Sequence, residues 1–205
     1  SFGGDPVYKT KGNHVNYQQN GVERRLMDSP LRPLFAPYFN DGKSKSMAFV
    51  GGDFFNMDLI LIDLTNNTES LLVSSNAIQK YPVLTATNKL YFVSNRSGVY
   101  QLWQYAQGKL QQLSHFDDNH TIQGIAVSSD EKFIALSINQ NTYLYELTNS
   151  HFQLDQTYLT LKDSINPHFS PDGKNLWVTT KDNGVYQMNP ISVADKTALT
   201  GIIKN

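Results

Sequence analysis

The residues best suited to chemistry lie in one short segment, His115-Phe116-Asp117-Asp118-Asn119-His120. Imidazole and carboxylate groups at this density are ligands that a divalent ion such as zinc takes in proteins. The same residues are also common in a polar connection between two strands. We favour the connection, and the sequence therefore predicts neither a metal ion nor another cofactor.

The sequence lacks the patterns that would indicate an enzyme. There is no Gly-x-Ser-x-Gly elbow for a serine nucleophile, and no glycine-rich loop followed by Lys-Ser or Lys-Thr for a phosphate. The chain has no cysteine, which excludes a thiolate nucleophile, a thiolate metal site and a disulfide. We expect no catalytic residue, so the sequence predicts a protein that binds rather than catalyses.

Four apolar segments recur along the chain with a step of 43 residues, each between two polar turns. They are Met47-Ala48-Phe49-Val50, Leu90-Tyr91-Phe92-Val93, Phe133-Ile134-Ala135-Leu136 and Leu176-Trp177-Val178-Thr179. A period of about 40–45 residues with several short strands per unit is typical of β-propeller blades. No stretch of 12 or more residues has the apolar pattern of a helix. The predicted fold class is all-β, and Trp103 and Trp177 are expected to pack in the core or between blades.

The second unit indicates its strands most clearly. They are predicted at residues 82–84, 90–93, 99–105 and 110–113, with a glycine-containing hairpin at 94–98. Asp172-Gly173 and Asp41-Gly42 fit tight turns between strands, where the aspartate bonds its own backbone and the glycine takes positive φ. The pattern predicts a β-propeller of four-stranded antiparallel blades at about 36–80, 81–121, 122–164 and 165–205.

The two ends of the chain give less complete units. Strands near residues 7–9, 15–17 and 25–27 predict a partial blade over residues 1–35, and residues 197–203 are predicted as the outer strand of the last blade. The chain would then be a single propeller domain or fragment, with four full blades and a partial one. It forms either an imperfectly closed five-bladed ring or an open arc, whose unpaired strand edges would favour an oligomer.

One rim of such a propeller gathers the loops that follow the outer strands and the hairpins between the second and third strands. The pair Phe54-Phe55 would lie at a hairpin tip there, and exposed aromatic residues cost solubility unless they pack or bind. Aromatic residues beside an arginine are typical of protein–protein hot spots. We predict a binding rim for a protein partner or a small signal, formed by Phe54, Phe55, Arg96, His115, Phe116, Asp117, Asp118 and His120. The alternative is that one phenylalanine of the pair folds back onto its own blade.

Two motifs indicate a particular kind of propeller. Ser170-Pro171-Asp172-Gly173-Lys174 precedes an apolar strand, and Val93-Ser94-Asn95-Arg96-Ser97-Gly98 precedes Gln101-Leu102-Trp103. Together they resemble the TolB-type propeller repeat, and the resemblance covers residues 36–190. Two units depart from it: the turn Ser129-Asp130-Glu131-Lys132 has no glycine, and Gly51-Gly52-Asp53 stands in place of the hairpin motif.

Within that group, residues 91–121 look like part of the C-terminal half of CadC/ToxR-like winged-helix transcriptional regulators. This resemblance implies a non-enzymatic, periplasmic sensor or interaction domain of a bacterial regulator anchored in the inner membrane. The TolB-type repeat leaves two alternatives. One is a periplasmic envelope protein that docks partner proteins, and the other is the gating propeller of a prolyl-oligopeptidase-like hydrolase.

Charge and hydropathy limit the partners of this segment. The formal net charge is −1 over 205 residues, which argues against a nucleic-acid surface, because phosphate binding needs concentrated Lys and Arg. No run of 18 apolar residues is present to span a membrane. Contacts with DNA or a membrane are therefore expected only through segments outside this chain, which begins at Ser1 and is expected to be part of a longer protein.

Overall fold

The computed structural model describes residues 7–11, 14–19, 22–28, 46–52, 57–63, 65–66, 68–148, 152–182 and 184–194. Strands account for nearly all the regular structure of these residues, and a three-residue 3-10 helix, Leu154–Gln156, is their single helical element. No helix in these ranges has the length and apolar character needed to cross a membrane. The predicted all-β class is confirmed.

The strands form five sheets in which strands consecutive in the chain are neighbours. Sheet 1 contains β1 (Val7–Lys11), β2 (His14–Gln19) and β3 (Val22–Asp28), and sheet 2 contains β4 (Ser46–Gly52), β5 (Met57–Asp63) and β6 (Thr68–Val73). Sheet 3 contains β7 (Gln79–Leu84), β8 (Leu90–Ser94), β9 (Gln101–Ala106) and β10 (Lys109–Gln112). Sheet 4 contains β11 (Ile122–Val127), β12 (Phe133–Ile138), β13 (Asn141–Glu146) and β14 (Leu159–Leu161). Sheet 5 contains β15 (Ser164–Phe169), β16 (Asn175–Asp182) and β17 (Val185–Ser192).

These antiparallel sheets agree with the predicted blades in kind. Sheets 3 and 4 have the predicted four strands, whereas the described parts of sheets 1, 2 and 5 have three. Residues 36–45 of the first predicted full blade and the predicted outer strand at 197–203 lie outside the described residues. The number of full blades therefore stays a prediction.

The chain divides into two compact units. The first comprises Ser1–Gly98 with Tyr105–Lys109, and the second comprises Val99–Gln104 with Leu110–Asn205. In the first unit, β5 is buried on both faces, since neighbouring Leu59 and Ile60 are both nearly inaccessible, as is Ile62. An unbroken apolar run fits a strand that is covered on both sides.

The second unit has a core between sheets 4 and 5. One face of sheet 4 contributes Ala126, Ala135 and Leu144, and the facing side of sheet 5 contributes Leu176, Val178 and Ile191. The backbone of β15 lies against β11, β12 and β13. Sheet 5 therefore covers this face of sheet 4, as one blade covers the next.

The repeat is less regular than the sequence indicated. The strand residues that follow corresponding turns are Leu90, Ile134 and Leu176, which pair with Leu84, Val127 and Phe169. The steps between them are 44 and 42 residues, so the predicted constant step of 43 is wrong by one residue each time. A slip of one residue moves a side chain to the opposite face of its sheet.

The repeated polar turns are structural, as predicted for Asp172-Gly173. The amide of Ser170 donates to the carbonyl of Asn175 (2.8 Å), and the Ser170 hydroxyl donates to Asp172 Oδ1 (2.5 Å). Gly173 has a φ of +70°, where glycine is favoured. The corresponding turn after Ser128 places Glu131 at +54°. The counterpart at Asp41-Gly42 lies outside the described residues.

Candidate functional site

Arg96 lies in the hairpin between β8 and β9, where the sequence predicted a rim. Its Nε donates to the Ser94 hydroxyl (3.1 Å), and that hydroxyl donates to Gln79 Oε1 (3.0 Å). The Arg96 guanidinium carbon is 5.5 Å from the centre of the buried Phe92 ring. Partial burial lowers the pKa of Arg96, which remains charged at neutral pH. The hairpin thus holds Arg96 back against its own sheet.

The loop that follows β10 is fixed by a buried glutamine. Gln101 Oε1 accepts hydrogen bonds from the Ser114 hydroxyl (2.6 Å) and the Phe116 amide (2.9 Å), while Gln101 Nε2 donates to the Phe116 carbonyl (2.6 Å). Phe116 as a whole is only 7% exposed, so it packs inside rather than offering a contact surface. The predicted rim therefore has a buried residue at this position.

The polar residues beyond Phe116 form a compact turn on the surface. Asp117 Oδ1 contacts His120 Nδ1 and accepts the Asn119 amide at 3.0 Å. His115, Asp117 and Asp118 are exposed. Nowhere in the described ranges do three His, Cys, Asp or Glu side chains group so that they could hold a metal ion. The segment is a hydrogen-bonded connection between β10 and β11. The expectation that it binds no metal ion stays a prediction.

The predicted rim as a whole stays a prediction. Phe54 and Phe55 lie outside the described residues. Arg96 belongs to the first unit, whereas residues 115–120 belong to the second. The described part of the predicted rim consists of a hairpin that restrains Arg96 and a polar turn preceded by the buried Phe116.

Sheet 5 carries a surface that the sequence did not indicate. Residues paired directly across β16 and β17 share a face: Trp177 pairs with Pro190, Thr179 with Met188, and Lys181 with Tyr186. His168 on β15 pairs with Trp177 and extends the same face. We call this surface the outer face, and its members are His168, Trp177, Thr179, Lys181, Tyr186, Met188 and Pro190.

The outer face is apolar and accessible. Trp177 is 36% exposed, Met188 62% and Tyr186 63%, whereas Leu176 and Val178 on the opposite face are buried in the core with sheet 4. The Nζ of Lys181 lies 5.4 Å from the centre of the Tyr186 ring. Partial burial lowers the pKa of His168, so Lys181 supplies the positive charge of this face at neutral pH.

Trp177 does not pack in the core between sheets 4 and 5, and the shortened repeat explains its facing. The other expectation, that it packs between blades, stays a prediction. Ala135 follows Ile134 in sheet 4 as Trp177 follows Leu176 in sheet 5. Ala135 is fully buried, since sheet 5 covers it, but the corresponding position in sheet 5 has no such cover in the described chain. The sequence did contain a signal for this facing. The 43-residue step matches Trp177 with Ile134, but Trp177 lies one residue further from its turn, which begins at Ser170, than Ile134 lies from the turn that begins at Ser128.

The chain is similar in fold to solved propeller proteins. TolB from Acinetobacter baumannii matches with a TM-score of 0.68 and 19% identity, over 91% of this chain and 48% of that chain. A nidogen/laminin complex chain matches with a TM-score of 0.67 and 10% identity, over 93% of this chain and 72% of that one. Puromycin hydrolase matches with a TM-score of 0.68 and 12% identity, over 95% of this chain and 37% of that one.

These similarities establish a TolB-like propeller fold, and at such identities they establish the fold alone. This chain spans about half the length of the TolB chain that it matches. No protein-family model matches the sequence, and neither does any curated protein. The likeness to CadC/ToxR-like regulators stays a prediction.

Proposed function

We propose that this chain is a non-enzymatic docking propeller of the TolB-like envelope kind, located outside the cytoplasm. The observation that carries the proposal is the outer face, where Trp177, Tyr186 and Met188 stand accessible on one side of a regular sheet. Single exposed apolar residues are ordinary on protein surfaces, but a contiguous apolar group marks an interaction site. The function would be to bind a protein partner through this surface.

The composition of the outer face fits a protein partner. Tryptophan, tyrosine and methionine are enriched at protein–protein interfaces, and tryptophan and tyrosine dominate binding energy where they are buried. The strands fix these side chains on a rigid sheet, which lowers the entropy lost on binding. Lys181 beside Tyr186 adds a single charge at the end of the patch.

The envelope-protein proposal is preferred over the two other functions that the sequence suggested. It is supported by the fold similarity to TolB over 91% of this chain. No finding favours the regulatory sensor role. A gating propeller has the fold similarity to puromycin hydrolase in its favour, over 37% of that chain. It would predict that the partner of the outer face is a hydrolase domain.

The test is formaldehyde cross-linking in the cells that produce the protein, followed by affinity purification and quantitative mass spectrometry. We expect a near-stoichiometric protein partner with the wild-type chain, and its loss in a variant with Trp177→Ala and Met188→Ser. Leu71→Ser is the matched control, because Leu71 is an exposed apolar residue (57%) on sheet 2 and should leave the partner bound.

Two outcomes would overturn the proposal. The first is that the double variant retains the same proteins as the wild type while its thermal unfolding is unchanged. The second is that cell fractionation finds the protein in the cytoplasm, which would remove the proposed location.

A further inference from the structure

We propose that Asn119 is an attachment site for an N-linked oligosaccharide and that the transferase recognises it together with Asp117. The residues Asn119-His120-Thr121 fit the Asn-x-Ser/Thr acceptor pattern, in which the middle residue is not proline. Such acceptors lie on surface loops of exported proteins, so the inference rests on the proposed location and adds a modification to it. It is carried by the exposure of this turn and by the hydrogen bonds that hold its backbone.

The turn exposes both residues that an acceptor needs, the asparagine and the threonine two positions later. Within the described chain, the hydrogen bonds of Asn119 involve its backbone alone. Its backbone amide donates to Asp117 Oδ1 (3.0 Å), and its carbonyl accepts from Asn139 Nδ2 (2.7 Å). The side-chain amide of Asn119 is therefore available for modification.

The hairpin between β12 and β13 holds the backbone of the acceptor in place. Asn139 Oδ1 accepts the Thr121 amide (2.9 Å), and the Asn139 amide donates to the Thr121 carbonyl (3.2 Å). These bonds use the backbone of Thr121, and the residue stays exposed. A saccharide on the Asn119 side chain would break none of them, so the fold can carry the attachment.

The two other tripeptides of this pattern are less suited to modification. Asn66 already uses its side-chain amide, since Asn66 Nδ2 donates to Asp63 Oδ2 at 3.2 Å. Asn95 is half-buried, and its Oδ1 accepts the Ile78 amide at 2.8 Å. Their side chains are thus engaged within the protein, and the structure selects Asn119 among the three.

A carboxylate also distinguishes this acceptor. Asp117 stands two positions before Asn119, whereas the two other tripeptides have leucine and valine at that place. An acidic residue there is typical of the acceptors that bacterial oligosaccharyltransferases use. The Asp117 side chain is 59% exposed, although Oδ1 contacts His120 Nδ1. Its charge can therefore be recognised by a complementary group of the transferase.

The reaction joins the Asn119 side chain to an oligosaccharide that is carried on a polyprenyl pyrophosphate. A bond forms between Asn119 Nδ2 and the anomeric carbon of the first sugar, and the bond from that carbon to the pyrophosphate oxygen breaks. The polyprenyl pyrophosphate leaves with the electron pair, and one Nδ2 proton is released to solvent. No oxidant or reductant takes part.

The experiment is mass spectrometry of the full chain purified from the cells that produce it, first intact and then as peptides. We expect a mass above that of the polypeptide by whole saccharide units, with the saccharide on the peptide that contains Asn119. Asn119→Gln and Thr121→Val should abolish the modification, whereas Thr121→Ser should keep it, because serine also supplies a hydroxyl. Asp117→Asn should reduce the modified fraction. Asn66→Gln is the matched control and should leave that fraction unchanged.

Urea unfolding of the same variants shows that they fold. Asn119→Gln should keep the urea midpoint of the unmodified chain, because the hydrogen bonds of Asn119 come from its backbone. Loss of the saccharide in a variant that unfolds normally then reports on the acceptor and not on the fold.

The contrary outcomes separate this inference from the proposed function. An unmodified Asn119 in protein recovered from outside the cytoplasm overturns the modification and leaves the docking function standing, as does a saccharide on Asn66 or Asn95 alone. A modified fraction that Asp117→Asn leaves unchanged overturns the recognition through Asp117. Recovery of the protein from the cytoplasm overturns both the proposed location and the modification.

Discussion

Gln101 is the residue on which the 115–120 loop most depends. Its amide makes three hydrogen bonds in a buried setting, two to the backbone of Phe116 and one to Ser114. Ser114 in turn accepts the Leu102 amide at 2.8 Å. One side chain thus satisfies both backbone groups of the residue that leads into the polar turn.

Replacing Gln101 with leucine should destabilise the protein by about 2–4 kcal/mol, because it leaves buried polar groups without partners. Urea unfolding followed by circular dichroism measures the change. Gln111→Leu is the control, since Gln111 is exposed on β10 and should change stability little. A loss below about 1 kcal/mol for Gln101→Leu would contradict this role.

The lowered pKa of Asp172 determines how the stability of its turn responds to acid. The Ser170 hydroxyl, and then the Lys174 amide, hold the pKa of this carboxyl below its ordinary value of 3.8. A lowered pKa stabilises the folded state at pH values above 3.8, and that stabilisation is lost as the pH falls through the folded-state pKa.

Asp172→Asn should therefore lower the urea midpoint at neutral pH, and the difference from the wild type should shrink as the pH falls below 3.8. Unfolding series at several pH values measure this. A difference that stays constant across the acid range would show that the carboxylate charge has no part in the turn.

At the scale of elements, the turns set the register of each sheet. Gly173 stands at a φ of +70°, and a Cβ there would lie 3.1 Å from the Ser129 hydroxyl oxygen. A side chain at such a φ costs about 1–2 kcal/mol. Gly173→Ala should therefore lower the free energy of unfolding by at least about 1 kcal/mol, measured by urea titration.

The control is Gly98→Ala. Gly98 has a φ of +101° with nothing within 4 Å of the added Cβ, so strain acts there without crowding. If both variants lose the same amount, the Ser129 contact contributes nothing. If Gly173→Ala loses nothing, the proposed turn geometry is wrong.

The sequence predicted the positions of the strands better than the face of the sheet on which each side chain lies. The strands predicted in the second unit agree with β7 to β10 within three residues at each end, because apolar runs and turn residues are local signals. The facing of Trp177 could not be read from a period of 43, since a one-residue change in a connection reverses every side chain after it. The burial of Phe116 depends on Gln101, which is 15 residues earlier, and no local pattern reports such a contact.

At the scale of the whole molecule, the described sheets are antiparallel repeats, and in the second unit sheet 5 packs on sheet 4. In a repeat fold each unit buries an apolar face on its neighbour. Sheet 5 has one face in the core with sheet 4, and the other carries Trp177, Tyr186 and Met188. The TolB-like fold accounts for the packing of sheet 5 on sheet 4, and the accessible outer face is the surface proposed for binding.

The most direct test is tryptophan fluorescence of the Trp103→Phe variant, in which Trp177 is the only tryptophan. We predict emission typical of a solvent-exposed indole and strong quenching by iodide in the isolated protein, with quenching lost when the cross-linked partner is added. The Trp177→Phe variant, which reports the half-buried Trp103, should resist iodide. Blue-shifted emission from Trp177 that iodide fails to quench would mean that the outer face is already covered, and would contradict its role as a docking surface.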